Sequence, residues 1–192
     1  MAGINLTKGQ KTDLTKGNPN LKKLRVGLGW DTNKYSGGAT FDLDASAFLL
    51  NASGKCARKE DFIYFNNLKG RDEGVVHTGD NLTGEGEGDD ESLIIDFAKV
   101  PADIERIAIV ATIYQAIDKK QNFGQVSNAF IRCVDDATGV ELMRYDLGED
   151  YSTETGLLFA EIYKNNGEWK FSAVGSGYKE GLEGFTKQYG LE

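Results

Sequence analysis

The chain has 192 residues and a mass of 21.0 kDa, which fits one domain with a sizeable core. With 22 Lys and Arg against 30 Asp and Glu, the net charge is −8, the wrong sign for a protein that displaces counterions from nucleic acid. One His and two Cys exclude a four-ligand Cys/His zinc site and argue against a disulfide scaffold.

No apolar run approaches the ~18 residues of a membrane-spanning helix. The first residues, Met1-Ala2-Gly3-Ile4-Asn5-Leu6, lack the apolar stretch of a secretory signal, so a cytoplasmic location is expected. In chain order, strand-like runs occupy 24–28, 41–50, 62–65, 92–97, 106–114, 129–134 and 140–145. The runs 157–164 and 168–174 meet across Asn165-Asn166-Gly167, a hairpin signal because Asn-Gly tolerates positive φ. Helices are few. Residues 101–104 and 153–158 are expected to form short helical turns, and 180–189 a C-terminal helix ended by Gly190. About ten strands with short connections predict a mostly β fold, an antiparallel β-sandwich forming a single domain over 1–192.

The charge is concentrated. Residues 79–91 hold Asp80, Glu85, Glu87, Asp89, Asp90 and Glu91, alternating with glycines and free of bases. Taking those six from 30 acids leaves 24 against 22 bases, so the rest of the chain is nearly neutral. Crowded carboxylates repel unless a cation lies among them, and all-oxygen donors select a hard ion. Calcium suits an irregular oxygen cage better than magnesium, which keeps strict octahedral geometry. The spacing does not make an EF-hand: Leu82 and Gly84 stand where the third and fifth loop ligands belong, and strand-like runs flank the segment. Further oxygen donors end or interrupt apolar runs. Asp42 and Asp44 alternate with Phe41, Leu43 and Ala45, which places the two acids on one strand face roughly 7 Å apart. Asp31 follows Trp30, and Asn66-Asn67 follow Phe65.

Gly175-Ser176-Gly177-Tyr178-Lys179-Glu180-Gly181 joins a strand to a helix, but too little chain follows for a dinucleotide-binding unit. His77 has no nucleophile elbow near it and is expected beside the acidic segment as a supporting or surface residue. Cys133 is in phase with buried positions, whereas Cys56 follows Gly54-Lys55 and is expected to be exposed.

Several of these motifs carry a family resemblance. Val26-Gly27-Leu28-Gly29-Trp30-Asp31, Phe41-Asp42-Leu43-Asp44-Ala45-Ser46, Phe65-Asn66-Asn67, and His77-Thr78-Gly79-Asp80-Asn81 through Gly88-Asp89-Asp90-Glu91 resemble the TerD family of bacterial tellurium-resistance and general-stress proteins. Asn122-Phe123-Gly124-Gln125-Val126-Ser127-Asn128, Arg144-Tyr145-Asp146-Leu147 and Asn166-Gly167-Glu168-Trp169 extend the resemblance almost end to end. It implies a cytoplasmic calcium-binding β-sandwich without settled enzymatic activity, associated with tellurite resistance. It also implies two calcium ions, with ligands drawn from Asp31, Asp42, Asp44, Asn66, Asn67, Asp80, Glu85, Glu87, Asp89, Asp90 and Glu91. Tyr114-Gln115 departs from a His-Asp pair that many members carry before the alanine, here Ala116.

The leading expectation is therefore a non-enzymatic calcium sensor or scaffold, with other stress and tellurium-resistance proteins as partners and no nucleic acid. Two alternatives stay open. One is a calcium-dependent adaptor for an anionic ligand, phospholipid or nucleotide, acting at a membrane surface in the first case. The other is an enzyme using the metal as Lewis acid.

Overall fold

Residues 3–31, 41–79, 88–148 and 151–191 are described by a computed structural model of the chain, and among them the strand-like runs pair into two six-stranded sheets. In chain order the strands are β1 (Ile4–Leu6), β2 (Lys11–Asp13), β3 (Lys23–Asp31), β4 (Leu43–Leu50), β5 (Phe62–Ile63) and β6 (Val75–His77), followed by β7 (Glu91–Asp96), β8 (Arg106–Ile113), β9 (Ser127–Asp135), β10 (Glu141–Asp146), β11 (Gly156–Asn165) and β12 (Glu168–Tyr178). The first sheet has the order β1-β10-β9-β3-β7-β6 and the second β2-β12-β11-β8-β4-β5. The pairings are antiparallel except that β1 runs parallel to β10. Because β1 and β2 lie in different sheets, the chain between them crosses over and closes one side of the sandwich.

Period-2 alternation decides what each strand buries. Along β3, Leu24, Val26, Leu28 and Trp30 enter the inter-sheet core, together with Leu43, Ala45, Ala47 and Leu49 of β4 and Ile107, Ile109, Ala111 and Ile113 of β8. The second sheet is also covered on its outer face. There Phe48, Leu50, Ala108, Val110 and Leu158 pack against Phe185 and Tyr189 of the C-terminal helix. Burial on both faces is why β4 and β8 read as nearly continuous apolar runs. Beneath that helix Phe48, Phe62 and Tyr64 stack, with ring centroids 4.4 and 4.2 Å apart.

Three expectations are corrected, and one helix lies where none is expected. Residues 153–158 are not a short helix: Gly156 opens β11, pairing with both Thr112 and Tyr178. Leu157 and Leu158 then bury on opposite faces, which a helical turn could not do. Residues 101–104 form a turn closed by Ile104 N–H donating to the Pro101 carbonyl (3.0 Å), not a helix. Helix α1 (Ala116–Lys119) was not expected from the sequence; it is bracketed by Gln115 and Lys120, both at positive φ. Cys56 is buried rather than exposed. Burial, with Asp61 nearby, pushes its thiol up to about 12, which disfavours the nucleophilic thiolate.

Helix α2 (Gly181–Tyr189) ends as the sequence predicts. Gly190 is left-handed at φ 80, and Leu191 N–H reaches back to the Thr186 carbonyl at 2.9 Å. Replacing Gly190 with Ala is expected to cost about 1 kcal/mol, since a Cβ disfavours that conformation. Equilibrium denaturation measures it.

Candidate metal centre

One end of the sandwich gathers the end of β3, the start of β4, the end of β6 and the start of β7. The pairings Leu28 with Glu91 and His77 with Leu93, and a hydrogen bond donated by β4 to a side chain of β7, bring them together. The expected ligands Asp80, Glu85 and Glu87 lie outside the described residues. The segment Gly88–Glu91 lies within them, and Asp89, Asp90 and Glu91 are each held by hydrogen bonds.

Gly88 and Asp89 cross the outer face of β3, where Gly27 and Gly29 leave room. A Cβ on Gly27 would stand 2.1 Å from Asp89 Cγ, and one on Gly29 would stand 2.8 Å from the Gly88 carbonyl oxygen. Asp89 Oδ1 accepts Arg132 Nε–H at 2.6 Å. Asp90 N–H donates to the Leu28 carbonyl at 2.8 Å, and Asp90 Oδ2 accepts Trp30 N–H at 3.0 Å.

Glu91 turns the other way, between the sheets, with its side chain fully buried. Its Oε2 accepts the Ala45 N–H of β4 at 2.6 Å. The same oxygen lies 3.4 Å from His77 Nε2, an electrostatic contact without hydrogen-bond alignment. His77 Nδ1 accepts Gly79 N–H at 3.1 Å, so in the neutral ring the proton belongs on Nε2, facing Glu91. The sole histidine is a buried supporting residue.

The remaining candidates take different positions. Asp31, at the exposed end of β3, accepts Asn128 Nδ2–H at 2.6 Å. Asp44 is buried and lines a cavity of about 370 Å3 on the outer face of the second sheet, with Phe65, Thr112, Tyr114, Asp118 and Glu180. Asp42 is half-buried just before β4, and its carbonyl accepts Tyr114 N–H at 2.8 Å. Asn66 is exposed, and Asn67 spends its Nδ2–H on the Phe62 carbonyl at 2.6 Å, bracing a turn. Among the described residues, no three His, Cys, Asp or Glu side chains are arranged as a complete metal site.

Two of them, Asp31 and Asp90, lie near enough for their charges to act on one another. Burial raises the Asp90 carboxyl above the usual carboxylate range. The Trp30 N–H opposes that shift, while the charges of Asp89 and Asp31 add to it. Asp89 is already neutralised by Arg132, whose own proton is held more tightly by that contact. Asp31 and Asp90 are thus like charges on hard oxygens, the donor chemistry that fits calcium. The sequence reading missed Arg132, Asn128 and Glu141, the last 3.3 Å from Arg132 through its Oε2.

A two-sheet β-sandwich whose strands β6 and β7 flank an acidic segment of the sequence defines the class of this protein. A family model described as the TerD domain matches residues 1–189, and the chain belongs to the TerD family. General stress protein 16U of Bacillus subtilis (strain 168) is 59% identical over 189 residues, covering 98% of both chains. Tellurium resistance protein TerD of an Alcaligenes species is 54% identical over 188 residues, covering 98% of this chain and 97% of the relative. A crystal structure of a homologue of the telluride resistance protein TerD from Streptomyces coelicolor A3(2) shares the fold. Its TM-score is 0.70 at 22% identity, over 86% of this chain and 95% of that one.

Proposed function

We propose that this member of the tellurium-resistance and stress-response family binds calcium at the acidic end of its sandwich and acts there as a non-enzymatic cytoplasmic sensor or scaffold. The observation that supports the reading is Asp90, half-buried with Asp31 and Asp89 acting on it and preceded in the sequence by the acids at 80–87. Asp31 and Asp90 would contribute oxygens, joined by ligands from Asp80, Glu85 and Glu87. Asp44 and Asp42 are the candidates for a second ion at the start of β4. Partners would be other stress and tellurium-resistance proteins that read the calcium-loaded end.

Calorimetric titration tests this. Calcium is expected to bind well ahead of magnesium, because the donors are numerous and irregular. Equal affinity for the two ions would overturn the cage.

One observation bears on the adaptor reading. Among the described residues, the cavity beside Asp44 is lined by Asp118 and Glu180, with the Lys119 ammonium 5.3 Å from the centroid of the lining Tyr114 ring, so bound metal would add to the attraction of an anion there. Heat from inorganic phosphate or anionic vesicles that requires calcium would favour the adaptor. Its absence favours the sensor.

A further inference from the structure

Resting on the calcium reading, we propose that Arg132 is the resident counter-cation of the acidic segment. Its ion pair with Asp89 fastens the stem at residues 88–90 before metal arrives and withdraws Asp89 from the metal's ligands. Of the two aspartates in the stem, Asp90 then serves the ion and Asp89 serves the scaffold.

Register places Arg132 on β9 directly opposite Gly27 of β3. The Asp89 carboxylate lies over that glycine, close enough that any side chain at residue 27 would collide with it. The recess is therefore shaped for a carboxylate, and isolated glycine in a strand marks this kind of close approach. Arg132 approaches Asp89 through Nε at 2.6 Å and Glu141 through Nη1 at 3.3 Å, so its guanidinium is held from two sides. The Asp89 side chain is 10% exposed and that of Arg132 30%, so solvent screens the pair less than an ion pair on open surface. The next glycine completes the seat. Gly29 lies under the Phe130 ring, which carries the Arg144 guanidinium 3.6 Å from its centroid.

The geometry also separates Asp89 from the other candidates. It faces the outer surface of the first sheet, whereas Glu91 enters the space between the sheets. A calcium ion bound to Asp89 would have to displace Arg132 or sit against its positive charge.

Two opposite signs follow. If Asp89 were a ligand, Arg132 would compete with the metal, and Arg132→Gln would tighten calcium binding. If Asp89 is a fastener, Arg132→Gln loosens the stem, and calcium binding is unchanged or weakened by a few-fold.

The experiment measures calcium affinity by calorimetry and stability in chelator for Asp89→Asn, Arg132→Gln, the double variant, and Asp90→Asn. Arg132→Lys is included to retain the charge. Expected in chelator are lower melting temperatures for both latch variants, a double variant no worse than the poorer single, and partial recovery with Arg132→Lys. With calcium, Asp90→Asn should lose at least tenfold in affinity, and Asp89→Asn and Arg132→Gln no more than a few-fold. Tighter calcium binding by Arg132→Gln, a tenfold loss in Asp89→Asn, or additive losses in chelator would each overturn the proposal. If the unaltered protein binds no calcium, the calcium reading fails, and the chelator cycle still decides whether the latch exists.

Discussion

Stripping calcium with a chelator is expected to lower the melting temperature by roughly 8–16 °C. A ligand that binds only the folded state stabilises it by RT ln(1 + [L]/Kd), about 4 kcal/mol at a thousandfold excess over Kd. Each kcal/mol moves the midpoint by about 2–4 °C in a chain of this size. The loss should be local in origin. The stem at 88–90 is tied to Leu28, Trp30 and Arg132 by contacts between protein atoms alone, so the Asp90 amide should exchange slowly in both conditions. Amides at 80–87 should instead gain protection only with calcium. Differential scanning calorimetry and hydrogen exchange, each with and without chelator, read the two effects. Unchanged melting together with unchanged exchange would mean that the acids are merely solvated.

The parts of this molecule legible in the sequence are those whose cause is local. Alternation at 24–28 and 41–50 announced strands, and the inward set Leu43 and Ala45 with outward Asp44 follows from period 2 alone. The three-residue strands β1, β2 and β6 carry too few residues for any pattern to register. The short helix expected at 153–158 overlaps the strand run 157–164 at Leu157 and Leu158, because adjacent apolar residues suit a helix turn or a doubly buried strand equally. Only neighbours on β8 and β12 decide between them.

At the site, residue types were legible and roles were not. Six acids near 80–91 are visible to anyone counting charge. That Asp89 belongs to Arg132, 43 positions away, depends on β9 lying beside β3. One signal was present and went unused: Gly27 and Gly29 alternate with Val26, Leu28 and Trp30, and such a pattern marks a strand face against which another segment closes.

Glu91→Leu is expected to destabilise the chelated protein by about 4 kcal/mol, and Glu91→Gln by only about 1 kcal/mol. Glu91 joins the sheets through a fully buried carboxylate that accepts the Ala45 amide at 2.6 Å. Strand β5 pairs with β4 only at Ala47 and Phe48, so the Ala45 amide is met from the opposite sheet instead. Leucine fills the space but supplies no acceptor. It therefore loses a charge-assisted hydrogen bond, about 1.5–3 kcal/mol, and leaves a buried N–H without a partner, about 1–3 kcal/mol more. The His77 ring, held by Gly79 on its other nitrogen, would also lose the negative charge it faces. Glutamine keeps a carbonyl oxygen for Ala45 and surrenders only the charge. Denaturant titration in chelator measures both variants. A small loss in Glu91→Leu would show that the sheets do not depend on this contact. A tenfold fall in calcium affinity for Glu91→Gln, with stability in chelator intact, would move Glu91 from the scaffold to the metal.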